Sequence, residues 1–184
     1  MEDKKYFSRQ IDESLMAWKN STRHKPLLLR GARQVGKSSS VRHLAKQFDY
    51  FVEINFERKP AYLEIFKGDR DAKHIVEMIK SITGEPIVPG KTLLFFDEIQ
   101  MCQEAISSLR FFWEDMPGLH VIAAGSLLEF ALSEIPTFGV GRIHSMFMYP
   151  MSFDEFLNAL GMFSLQKYKR EASPEKPLLS ALHE

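Results

Sequence analysis

The stretch Leu27-Leu28-Leu29-Arg30-Gly31-Ala32-Arg33-Gln34-Val35-Gly36-Lys37-Ser38 decides the fold. Its three leucines form a short apolar run after Pro26 that reads as a buried strand, and Gly31 to Ser38 fits G-x-x-x-x-G-K-[ST] at every position. Val41, Leu44, Ala45 and Phe48 then recur at helical spacing, so the loop joins a strand to a helix. Two glycines let the backbone curl until successive N–H groups point inward at phosphate oxygens, and the helix that starts near Gly36 adds its positive end. A chance match in a chain this long is on the order of one per cent, before a strand is required ahead and a helix behind. The candidate nucleotide-binding residues are Gly31, Ala32, Arg33, Gln34, Val35, Gly36, Lys37, Ser38 and Ser39. Lys37 would bridge the β- and γ-phosphates, and the Ser38 hydroxyl would ligate Mg²⁺.

Further along, Leu93-Leu94-Phe95-Phe96-Asp97-Glu98 is an apolar run ending in two carboxylates. A strand apolar at every residue suits a parallel sheet covered on both faces. Asp97 at its tip would hold Mg²⁺, mostly through water, and Glu98 is placed to polarise an attacking water as general base. A second strand, Phe51 to Phe56, lies between the loop strand and this one. That insertion, with the extra glutamate, points to ATP hydrolysis rather than to a nucleotide kinase, and neither an acceptor pocket nor an arginine-rich lid is visible.

The rest of the chain repeats the alternation. Phe7, Ile11, Leu15 and Trp18 predict an amphipathic helix; Ala61 to Phe66 and Asp71 to Thr83 read as helices, and Ile106, Leu109, Phe112 and Trp113 mark another. Leu119 to Ala124 is a fourth strand, Leu127 to Ser133 a short helix, Pro136 to Gly141 a loop and His144 to Tyr149 a fifth strand. Ser152 and Glu155 make a capping box for a helix over Ser152 to Leu160. Strands and helices joined by short turns predict an α/β fold, a parallel sheet with helices on both faces. The organisation expected is a helix and lead-in over 1–25, the P-loop domain over 26–162, and a loose tail over 163–184.

In such a sheet Asn55, Asp97, Glu98 and Ser126 emerge with the glycine loop from the carboxyl ends of strands, where open α/β sheets bind ligands. Ser126 either orients the lytic water and senses the γ-phosphate or caps the helix that follows. Asn55 is either a site or a turn residue. Arg142, after Gly139-Val140-Gly141, either reaches a neighbouring subunit's γ-phosphate or pairs locally. Arg23, His24 and Lys25 are candidates to flank the base.

Composition is neutral on partners. The chain has 184 residues, 45% of them hydrophobic, with 24 Lys and Arg against 24 Asp and Glu. That balance gives no electrostatic pull toward nucleic acid or a membrane. The single cysteine, Cys102, cannot form an internal disulfide, and the six histidines show no zinc spacing. No run approaches a membrane span, so a reducing, cytoplasmic setting is expected.

Taken together, LLLRGARQVGKS, FVEINFE, KTLLFFDEIQ, VIAAGSLLEF and VGRIHSMFMYPMSFDEFL resemble prokaryotic AAA-type ATPases that carry a C-terminal domain similar to restriction nucleases. The resemblance runs from about Tyr6 to Leu160. It implies a five-stranded parallel sheet of order 5-1-4-3-2 in a three-layer P-loop NTPase sandwich, Mg²⁺ with ATP as ligand or substrate, and Asp97 and Glu98 as metal and catalytic acids. It implies Ser126 at the sensor position, Arg142 near the finger position, and Asn55 holding Glu98 out of line until a partner binds. Family members continue beyond where this chain stops, through a winged-helix-like segment and the C-terminal domain. Homo-oligomerisation and a protein or DNA partner are expectations attached to that region. Two functions follow: slow Mg-dependent ATP hydrolysis, or a nucleotide-dependent switch that binds ATP with little turnover.

Overall fold

A computed structural model describes residues 6–68, 71–126, 128 and 141–171. The expected short helix over Leu127 to Ser133 and the loop before Gly141 lie outside the described residues, Leu128 excepted. The elements run α1 (Ile11–Asn20), β1 (Leu27–Arg30), α2 (Lys37–Ala45), β2 (Tyr50–Asn55), a 3₁₀ segment (Pro60–Phe66), α3 (Ala72–Thr83), β3 (Thr92–Asp97), a 3₁₀ turn (Ile99–Met101), α4 (Gln103–Asp115), β4 (His120–Ala124), β5 (His144–Phe147), α5 (Phe153–Ala159) and α6 (Phe163–Glu171).

All strand pairs are parallel, in the order β2-β3-β4-β1-β5, which is the order expected. Alternate side chains of a strand point to opposite faces, and both faces are buried. Leu28, Val52, Ile54, Leu94, Phe96, Val121 and Ala123 face α3 and α4, where Ile75, Ile79, Leu109 and Phe112 cover them. Leu27, Leu29, Leu93, Phe95, Ile122 and Ala124 face the other way, under Leu15 and Trp18 of α1 and Val41 and Leu44 of α2. Helix α1 is therefore part of the same core as the sheet. β3 lies inside the sheet between β2 and β4 with all six residues buried, as its apolar run Leu93 to Phe96 requires.

Several boundaries differ from the sequence reading. The first helix starts at Ile11 rather than Phe7, because the Arg9 N–H bonds the Asp12 carboxylate at 2.8 Å and ends the helix there. Pro60–Phe66 is 3₁₀ rather than α-helical. β5 stops at Phe147, and Tyr149, before Pro150, is 70% exposed. Within the stretch expected to be loose, Phe163–Glu171 is a helix; Lys169 pairs with Asp154 at 2.9 Å and lies over the Phe153 ring, contacts no local periodicity reveals. The Ser152–Glu155 capping box is formed. No helix among the described residues is long and apolar enough to cross a membrane.

Candidate nucleotide site

The strand registers set the site's layout. Leu29 pairs with Ala124, Asp97 with Ala124 and Asn55 with Asp97, so the loop after β1, Asn55, Asp97, Glu98 and Ser126 share one sheet edge. Leu27 pairs with His144, which puts Arg142, two residues earlier, at the opposite edge.

Gly31 and Gly36 have φ of 142° and 104°, backbone that L side chains rarely adopt. At Gly31 space demands glycine as well: a Cβ would lie 2.2 Å from the Met148 carbonyl oxygen, backbone that cannot swing aside. Met148 N donates to Arg30 O at 2.8 Å, so the end of β5 presses on the root of the loop. Gly36 caps α2, whose first turn has no acidic residue to neutralise its positive end. Lys37 is 8% exposed, and its Nζ donates to Gly31 O at 2.9 Å and Ala32 O at 2.7 Å. Burial lowers its pKa, opposed by the charges of Glu98 and Asp97. The loop's own carbonyls thus hold an ammonium that phosphate oxygens are suited to take over.

Facing it, Asp97 is nearly buried and fully engaged. Oδ1 accepts from Ser38 Oγ at 2.9 Å and from Glu98 N at 3.2 Å, and Oδ2 accepts from Asn55 Nδ2 at 3.0 Å. Arg42 grips Glu53 through two bonds of 2.9 and 2.6 Å and comes within 3.6 Å of Asp97 Oδ2. Burial raises the Asp97 pKa; Glu53 and Glu98 add to this, and the bonds from Ser38 and Asn55 oppose it. A hydroxyl and a carboxylate in contact, both hard oxygen donors, with excess negative charge nearby, fit Mg²⁺. Sequence reading missed Arg42 and Glu53, since nothing in their spacing pairs α2 with β2.

Glu98 has φ 55°, ψ 42°, a left-handed conformation unusual for a side-chain-bearing residue. The contact expected from Asn55 to Glu98 is not made: Asn55 reaches Asp97, its register partner on β3, and holds the Arg58 N–H with its oxygen at 2.7 Å. Gln100 bonds Glu98 instead, Nε2 to Oε2 at 2.7 Å. Ser126, two residues past the end of β4, is buried. Arg142 is not brought to its own chain's site; it pairs with Glu114 at 2.5 Å. Arg23, His24 and Lys25 also lie at the edge away from the loop, lining a separate cavity. Beside the loop itself is a cavity of about 460 Å³ lined by Tyr6, Arg9, Gly36, Ser39, His43 and Met151, with the Tyr6 and His43 rings stacked at 4.0 Å.

A family model described as "AAA domain" matches residues 23–157, well over half of the chain and every strand of the sheet. The chain belongs to the AAA domain family. Membership makes it a P-loop domain of a family whose members are generally ATPases. No curated protein matches it.

Proposed function

We propose that this AAA domain binds Mg·ATP with its phosphates on Gly31 to Ser39 and hydrolyses it slowly, with Glu98 as general base. The observation that carries this reading is the convergence of the Lys37 ammonium, the Ser38–Asp97 pair and the Glu98 carboxylate at one sheet edge, with Lys37 responding to both acids. Lys37 exchanges its two loop carbonyls for phosphate oxygens, and backbone N–H groups of the loop take the rest. Ser38 and Asp97 are the residues that would hold Mg²⁺, with Asn55 and Arg42 fixing the Asp97 carboxylate. Mg²⁺, when bound, supplies charge neutralisation across the β- and γ-phosphates. Glu98 accepts the proton of the attacking water, and Ser126 lies on the same edge to orient that water. The base and ribose extend past Ser39 into the cavity beside Tyr6 and His43, which replaces Arg23, His24 and Lys25 as the base site.

Slow turnover follows from Arg142. At the far edge it can complete only another subunit's site, and an arginine supplied in that way is worth about 10³ to 10⁵ in rate. Phosphate release per subunit, measured across a wide range of protein concentration, tests this. A specific rate that climbs with concentration and is flattened by Arg142→Ala supports completion between copies. A rate independent of concentration removes Arg142 from the mechanism. ATP bound without any release favours the switch reading, for which the self-satisfied Lys37 speaks.

A further inference from the structure

Glu98 and the end of β4 meet through a residue that the hydrolysis scheme does not use. Gln100 lies in the 3₁₀ turn after β3, and its Nε2 donates to Glu98 Oε2 at 2.7 Å. Only the NH₂ end of a carboxamide can face a carboxylate, so its oxygen is turned the other way. There Oε1 is buried with no hydrogen-bond partner, and a buried acceptor left unpaired calls for an explanation. It rests against Gly125: a Cβ on that residue would stand 2.1 Å from Gln100 Oε1 and 3.2 Å from its Cδ. Gly125 has no positive φ that would demand glycine, so its bare Cα serves to admit this carboxamide. Glu98 itself is held in the left-handed region, a conformation kept only where its surroundings impose it.

We propose that Gln100 is the positioning residue for Glu98, its carboxamide seated on Gly125 so that one carboxylate oxygen is fixed and the other is left to the attacking water. This rests on the reading of Glu98 as general base. A base oriented by a third group is how nucleophile-activating constellations are built. Gln100 suits the task because an amide donor aligns the carboxylate without neutralising it. The seat also joins Glu98 to Gly125-Ser126, so a shift of the β4 end is passed to the base through a single side chain.

The test uses Gln100→Leu, which keeps bulk but removes the donor, and Gly125→Ala, whose new methyl evicts the flexible end of Gln100. Each variant is expected to lower the rate at saturating Mg·ATP about tenfold or more, a share of the roughly 10² to 10⁴ a general base supplies. ATP affinity should stay within about twofold, because neither residue belongs to the phosphate loop or the metal pair. In a Glu98→Ala background both changes should leave the residual rate where it is, since there is no longer a base to position. Equal losses in both backgrounds, a parallel loss of affinity, or no loss at all would overturn the proposal. If the wild-type chain shows no turnover, hydrolysis fails as its function, and the Gln100 side-chain amide signal in NMR decides the tether separately. A shift of that signal on Glu98→Ala and on Gly125→Ala supports it, and an unmoved signal overturns it.

Discussion

Glu155→Ala is expected to lower the stability of this domain by about as much as any single change at its surface helices can. Glu155 Oε1 accepts from Arg9 Nε at 3.0 Å and from Gln10 N at 2.8 Å, and Oε2 accepts from Ser152 N at 2.7 Å. Both members of the ion pair are more than nine-tenths buried. Arg9 carries the connection onward, to Val35 O in the loop at 2.7 Å and to Tyr149 O at 2.9 Å. Burial pushes the Glu155 pKa up, but the Gln10 and Ser152 N–H groups and the Arg9 guanidinium outweigh it, and the value falls from 4.5 to about 2. At about 1.4 kcal/mol per unit this is on the order of 3 kcal/mol at neutral pH, consistent with the roughly 3–5 kcal/mol lost when one partner of a buried pair is removed. For a chain of this size that lowers Tm by roughly 6–12 °C. A carboxylate with a depressed folded pKa contributes fully above its unfolded value and loses that contribution as pH falls through its folded one. The gap between wild type and Glu155→Gln should therefore be full above pH about 4.5 and close toward pH about 2. Urea unfolding at neutral and acid pH measures both. A loss under about 1 kcal/mol at pH 7, or a gap to Glu155→Gln that persists unchanged at the acid end, would refute the reasoning.

Lys37→Ala should abolish the thermal shift produced by Mg·ATP while leaving the ligand-free Tm nearly in place. At about a hundredfold excess over Kd the wild type gains roughly 2.7 kcal/mol, or about 5–10 °C, and an equal shift in the variant would remove the loop from the site. Gly31→Ala meets both a left-handed φ and the Met148 carbonyl, so it should cost more than about 3 kcal/mol and leave little folded protein; a normal melting curve contradicts that geometry. His120 stacks on His24 at 3.6 Å and bonds Lys19 O at 3.0 Å. Burial lowers its pKa from 6.5 to about 4, against the Lys19 bond and helped by His24 and Lys19. Since the unfolded chain takes up that proton first, stability should decline as pH falls from about 6.5 to about 4; an imidazole titrating near 6.5 by NMR excludes it.

How far the sequence reached depended on the range of each interaction. The loop is a local motif with a backbone reason for each glycine, and Leu93 to Phe96 is buried on both faces because no residue in it is polar. Strand order came through resemblance to whole AAA domains, since no spacing in the chain says which strands are neighbours. Asn55 shows the limit: two carboxylates follow one another at the strand tip, and only the register with β2 selects Asp97 over Glu98. Arg9 and Glu155 are 146 positions apart and carry no pattern that pairs them. Gln100 stood in the quoted DEIQ segment, yet its role depends on the bare Cα of Gly125 on another strand.

The measurement to rank first compares Mg·ATP binding and phosphate release in the wild type and in Glu98→Gln, which keeps the shape of the side chain and removes its basicity. Retained binding with release reduced by about 10² or more is the result expected of a base beside an intact phosphate site. Equal release from both proteins would contradict Glu98 as the base, and failure of both to bind nucleotide would contradict the site itself.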